Sequence, residues 1–188
     1  MFHSSRLVNV RLTCRNIYAR FVRFAATVGL CVVAASVLQH CSIRRAQDGV
    51  RSFGMTSLEV SNCIIEDTSG YGIYASLADR ATTTVQHCVI QTGTQQGIYV
   101  ETASNTLHMT TLYVFESNVN SINVNSHSAD VFVERSTITK TTYRHHPIVV
   151  RSNYGLIRVD NCRFENTGRA RSMSFAERSS QPPYNKVR

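Results

Sequence analysis

Apolar and polar residues alternate along this chain in short bursts, and the bursts recur. Leu58 and Val60, Leu112 and Val114, Val131 and Val133, and Ile157 and Val159 are each separated by one residue, so each pair faces one way on a strand. These positions belong to a phrase reading Val-x-x-Cys/Ser-x-Ile/Val/Phe and to the residues leading into it. Six copies occur, at 38–43 (led by Leu38), 60–65, 85–90, 114–119, 133–138 and 159–164. Their fourth position holds Cys41, Cys63, Cys88, Ser117, Ser136 and Cys162, at intervals of 22, 25, 29, 19 and 26 residues. A second strand recurs as Gly49-Val50, Gly72-Ile73-Tyr74-Ala75, Gly97-Ile98-Tyr99-Val100, Ser121-Ile122-Asn123-Val124 and Pro147-Ile148-Val149-Val150. Three of these begin with glycine, as a tight corner at positive φ would prefer. Polar runs of unequal length at 66–69, 92–96 and 139–146 predict loops between the two strands. A repeat of about two dozen residues that holds only strand-like segments predicts a solenoid with one coil per repeat.

Register then predicts surfaces. With Ile73 and Ile98 inward, one outward row is Arg51, Tyr74, Tyr99, Asn123 and Val149, and the next is Phe53, Ser76, Glu101, Asn125 and Arg151. Sugar rings stack on aromatic faces while their hydroxyls pair with amides and carboxylates. Tyr74, Tyr99, Glu101, Asn123, Asn125 and Arg151 are therefore the candidate strip for a polysaccharide or protein partner. In the competing reading, Tyr74 and Tyr99 form a cross-strand ladder that supports the sheet. Tyr113, Phe115 and Phe132 are expected to face outward on neighbouring coils, as a patch for oligomer contact or for packing by a leader or tail.

Four cysteines share one repeat position with serines, which predicts a ladder of small interior side chains. Rungs lie about 4.8 Å apart, but parallel Cβ vectors are poor disulfide geometry. No CxxC or CxxH pair exists to hold zinc. His145 and His146 are adjacent, so on a strand they would point to opposite sides. His40 and His87 share a repeat position with Asn62, Glu116, Arg135 and Asn161, which implies no metal row.

The segments VSNCIIEDTSGYGIYAS and VQHCVIQTGTQQGIYVE resemble the repeat of right-handed parallel β-helix proteins, the pectate-lyase-like superfold. The resemblance covers about residues 37–168 and implies an all-β, right-handed parallel β-helix of five to six coils. Enzymes of that superfold cleave or epimerise acidic polysaccharides. Its lyases place carboxylates for Ca²⁺ beside an Arg or Lys base, and its hydrolases need paired carboxylates. In this chain Glu66 and Asp67 are adjacent, but the same loop position later holds Gln91, Asn120, Lys140 and Glu165. No carboxylate row builds up, and the Asn-Thr-Asp and Arg-Ile-Lys phrases of polygalacturonase-like hydrolases are absent.

Composition agrees with short strands and polar turns: 43% hydrophobic, 17% charged, no Trp and three Pro. The net charge of +8 sits at the ends, because residues 48–162 hold ten acidic against seven basic residues. That distribution argues against a nucleic-acid partner. Residues 1–36 read as a basic, apolar leader whose uncharged run at 24–38 suits a signal core or membrane anchor better than a full span. This favours a secreted or membrane-anchored extracytoplasmic location, with a mitochondrial presequence or an irregular first coil as alternatives. Residues 37–168 read as the repeats, and residues 169–188 as a polar, basic, disordered tail.

The expected function is a non-catalytic module presenting a flat face to a glycan or protein, within a larger assembly or a homo-oligomer, with no cofactor. The alternative is a polysaccharide-active, uronate lyase- or epimerase-like enzyme, or a remnant or fragment of one. It would use Glu66, Asp67, Glu101 and Arg151, with Ca²⁺.

Overall fold

The structure, a computed structural model, describes residues 37–92, 95–139 and 145–165, apart from the side chains of residues 55 and 56. It also describes the backbone of short strands within 2–36 and of Ser174–Ala176. The described elements are all strands, gathered into a 12-stranded and an 8-stranded sheet. Ladders between successive coils are parallel. Each coil gives a long strand to the larger sheet and a short one to the smaller. The pairs are Val50–Ser61 with Ile64–Thr68, Ile73–Gln86 with Val89–Thr92, Ile98–Thr110 with Tyr113–Phe115, and Ile122–Glu134 with Thr137–Thr139. In the next coil Ile148–Tyr154 and Ile157–Asp160 share the long strand's place, followed by Arg163–Glu165. The long strand bends midway, so a coil has three faces: the first as at 73–77, the second as at 81–86 and the third as at 89–92.

The inward residues stack on their own kind. Val50, Ile73, Ile98, Ile122 and Ile148 form one ladder on the first face. Ile43, Ile65, Ile90, Val114 and Ile138 form another on the third. All ten are at most 1% exposed. Burying one such side chain stabilises by roughly 1.5–3 kcal/mol, and adjacent coils supply part of the covering surface.

The corner between the second and third faces is made by one left-handed residue per coil. These are His40, Asn62, His87, Thr111, Arg135 and Asn161, with φ between 49° and 53°. Asn and His tolerate this region better than most side chains, which accounts for the recurrence of histidine at this corner. The corner also corrects the repeat. Cys63, Cys88, Leu112, Ser136 and Cys162 follow it in register, because Ile64, Val89, Tyr113, Thr137 and Arg163 pair in sequence. The expected fourth copy at 114–119 is therefore displaced; its true counterpart is 109–114, with Leu112 at the Cys position. The uneven intervals of 29 and 19 become 24 and 24. Ser117 belongs to the next corner, where its hydroxyl meets that of Thr92 at 3.4 Å.

Glycine's role at the third corner also differs from expectation. Gly72 and Gly97 do not adopt positive φ, but a Cβ there would lie 2.5 and 2.6 Å from the carbonyl oxygens of Gly97 and Ser121. Close approach of the next coil excludes the side chain. Between the first and second faces, Gly54 (φ 60°) and Arg80 (φ 59°) occupy bulges where the register shifts.

Short strands within the expected leader join both sheets, for example Ile17–Arg20 with Ser36–Gln39 and Arg23–Ala25 with Ser42–Arg44. The other residues of 1–36 and their side chains lie outside the described residues. So does the expected tail, except that Ser174–Ala176 pairs with Val149–Arg151. No helix among the described residues is long and apolar enough to cross a membrane.

Thr111 is β-branched and exposed at φ 53°, a conformation that costs an ordinary residue roughly 1–2 kcal/mol. Thr111→Asn is expected to raise the free energy of unfolding by about 1 kcal/mol in urea titrations. An unchanged or lower value would remove backbone strain as a property of this corner.

Candidate functional site

The first face carries the expected outward rows in the expected register. Tyr74 lies between Arg51 and Tyr99, Tyr99 beside Asn123, and Asn123 beside Val149. Ser76 lies between Phe53 and Glu101, and Glu101 and Arg151 flank Asn125. Glu101, Asn125 and Arg151 are exposed and the two tyrosines half-buried. Asn123, however, is only 5% exposed and accepts from Arg151 Nη1 at 3.4 Å. It buttresses the strip rather than opening onto solvent.

The tyrosine rings face each other, with centroids 5.5 Å apart and planes 19° apart. Phe53 and the Arg51 guanidinium also lie against Tyr74, at 5.7 and 5.1 Å. Ring faces that were expected to stack on sugar are thus engaged within the ladder; hydroxyls and ring edges are what remain available. Tyr74 Oη donates to Glu101 Oε2 at 3.4 Å. Burial raises the pKa of both phenols, and the Glu101 charge raises it further. Both stay protonated donors at neutral pH.

Two residues missed in the sequence hold this face in place. Tyr71 tilts against Tyr74 and Tyr99, at 5.2 and 5.6 Å. Buried Asp48 accepts from the Tyr71 backbone N–H at 2.8 Å and from Arg51 Nη1 at 3.1 Å. Both belong to the loop corner, where alternation carries no signal; a tyrosine three residues before Tyr74 was the one clue.

The aromatic contact patch is divided. Tyr113 and Phe115 pack together on the third face at 5.1 Å, with Tyr113 between Val89 and Thr137. Phe132 stands on the second face between His108 and Arg158, stacked on the His108 ring at 4.9 Å and 7°. The displaced fourth copy is the reason: Phe132 aligns with His108, five residues before Tyr113. The residues of the enzyme alternative are divided too. Glu66 pairs with Arg44 at 3.1 Å in the smaller sheet, next to Asp67, while Glu101 and Arg151 belong to the larger. Tyr143 and Arg144 lie outside the described residues, and His145 and His146 are half-buried. Among the described residues no group of three or more His, Cys, Asp or Glu is placed to hold a metal ion.

Cys41, Cys63, Cys88 and Cys162 are free thiols in the interior ladder. Cys63 donates to the Ser61 carbonyl at 3.2 Å and to the Leu38 carbonyl of the preceding coil at 3.6 Å. Ser136 uses its hydroxyl alike, donating to Glu134 O at 2.8 Å and accepting from Leu112 N at 3.1 Å. A hydrogen bond with Cys41 pulls the Cys63 pKa down, but one with Cys88 and burial outweigh it, and the thiol is pushed up to about 12.

Residues 9–138 match the family described as the right handed beta helix region, and the chain belongs to that family. No curated protein and no solved structure matches it. Membership establishes the solenoid and leaves its chemistry to the rows just described.

Folded Cys63 keeps its proton between the free-thiol value of 9.0 and about 12, while the unfolded chain loses it. Stability from this thiol is therefore lost as pH rises through that window. Cys63→Ser retains a donor that does not titrate there. It is expected to lose less stability than the parent when urea unfolding is compared at neutral pH and above pH 9; parallel pH profiles would show that Cys63 does not contribute.

Proposed function

We propose that this protein is a non-catalytic β-helix module whose first face binds a glycan by hydrogen bonding. The observation that carries this reading is the registered set of Tyr74, Tyr99, Glu101, Asn125 and Arg151, with Tyr74 bonded to Glu101. Hydroxyl, carboxylate, amide and guanidinium groups alternate across four adjacent rungs, about 4.8 Å apart, and no loop movement is needed to align them. Donors and acceptors at fixed intervals suit a chain of hydroxylated rings lying across the coils. The rigid ladder lowers the ordering cost of binding.

The same rows favour binding over cleavage. Glu101 is the one carboxylate in the two described rows, whereas acid–base cleavage of a glycosidic bond uses two carboxyl groups flanking it. Glu66 and Asp67 lie on another sheet and cannot supply the second.

Tyr99→Phe and Glu101→Gln each remove one hydrogen-bonding function while keeping the side-chain volume. Each is expected to weaken binding to an immobilised polysaccharide panel by about tenfold, the equivalent of 1.4 kcal/mol. The melting temperature should stay near that of the parent. Absence of binding by the parent, or parental affinity in both variants, would reject the strip as a glycan site.

A further inference from the structure

The third face carries a surface feature that the glycan reading leaves unused. Its outward positions form two rows across six coils. One row runs Ser42, Ile64, Val89, Tyr113, Thr137 and Arg163, and beside it a second runs from Arg44 through Phe115 to Glu165. Ile64 and Tyr113 are 38% and 43% exposed, Val89 and Phe115 are half-buried, and Tyr113 packs on Phe115. An apolar stripe thus crosses three consecutive coils on the outside. In two of those coils the outward positions of the second face hold Thr82, Thr84, Thr106 and Thr110 instead. Contiguous exposed apolar groups of this kind mark contact surfaces.

The two ends of the face are charged, and each end carries both signs. Arg44 pairs with Glu66 at 3.1 Å in the first coils, and Arg163 with Glu165 at 2.5 Å in the last. An apolar centre inside a polar rim is the pattern of a protein contact, and the placement of the charges identifies the partner. Arg44 stands on the first rung of the second row and Glu165 on the sixth. A two-fold axis passing between the rungs of Val89 and Tyr113 lays the first rung of one copy over the sixth of another. Arg44 then meets Glu165 of the second copy, and the contact occurs twice, as in any isologous interface. Val89 lies over Tyr113 of the second copy, Ile64 over Thr137 and Gln91 over Phe115. A two-fold axis parallel to the solenoid would exchange the rows instead, setting Ile64 against the Glu66 carboxylate and Arg44 against Ser42.

We infer that the third face is a self-association surface, on which two copies of this chain pack with their solenoid axes antiparallel. The occupant is a second copy because the antiparallel turn alone matches Arg44 to Glu165 while keeping Ile64 away from carboxylates. Six rungs about 4.8 Å apart make the face about 24 Å long, and the strand Tyr113–Phe115 at its centre is three residues wide. Such a contact falls below the roughly 1,200–2,000 Å² of stable complexes, so the dimer is weak, with a Kd on the order of 100 µM. The tyrosine strip belongs to the other sheet, so this inference and the glycan reading stand or fall separately.

The test is sedimentation equilibrium of the full chain from about 10 µM to about 1 mM. The parent is expected to pass from monomer to dimer across that range. Tyr113→Thr suits the fold, since Thr137 holds the same row one coil on, and should weaken the dimer at least tenfold. Arg44→Glu and Glu165→Arg each set like charges together across the two-fold axis and should also weaken it at least tenfold. Both should stay folded, because exposed ion pairs contribute little to stability. Melting temperatures of the dilute, monomeric variants read any internal effect on the Arg44–Glu66 and Arg163–Glu165 pairs. The double variant Arg44→Glu/Glu165→Arg restores opposite charges at the contact and should recover the affinity to within about threefold of the parent. The inference is overturned if the parent stays monomeric at the highest concentration, which would leave the face to another occupant. It is equally overturned if Tyr113→Thr dimerises like the parent, or if the double variant associates no more tightly than the single ones.

Discussion

Each coil of this protein has three inward strips of apolar side chains and no interior of its own. Ile73 stacks between Val50 and Ile98 of the adjacent coils, and Ile90 between Ile65 and Val114. Parallel, in-register stacking is the constraint on which the rest depends, because it pairs the backbone and closes the core with the same contact. It also determines the surface: once inward residues align, outward residues must align as well. Ordered outward rows are therefore a by-product of the core.

That coupling explains how much of the molecule was legible in the sequence. Rows through Tyr74, Tyr99, Glu101 and Asn125 could be read because Gly-Ile-x-Val strands alternate cleanly and share an inward isoleucine. The fourth phrase was misread because the corner that sets its register is defined by a backbone angle. His87, Thr111 and Arg135 have no common side chain, only a common left-handed φ. Leu112 fills the place that cysteine or serine fills elsewhere, so a pattern defined by residue type falls on Ser117 instead. The offset of five residues assigns Tyr113 and Phe115 to the face of Phe132, whereas they stand on the third face. The bulge at Arg80 and the buttress formed by Asp48 and Tyr71 escaped for a related reason. Corners are specified by conformation and by contacts between coils, and neither has a period.

The tyrosine ladder shows how packing narrows chemistry. Stacked against one another and against Arg51 and Phe53, Tyr74 and Tyr99 have little ring face to offer. What the ladder supplies instead is rigidity, with phenol hydroxyls, a carboxylate and an amide held at coil spacing. The thiol ladder inside works on the same plan: Cys63 and Ser136 each donate to the carbonyl two residues before them, so one hydroxyl takes a place among the sulfurs of the column with the same backbone contact.

The bulge at Arg80 has a consequence for how such a chain can change length. Three residues, 78–80, stand opposite two, 103 and 104, and pairing resumes at Ala81 with Asn105 as though nothing had been added. An extra residue is absorbed within a single corner, and the columns on either side keep their alignment. A solenoid punctuated in this way can gain or lose residues one corner at a time, leaving the inscription on its flat faces intact while the margins are rewritten.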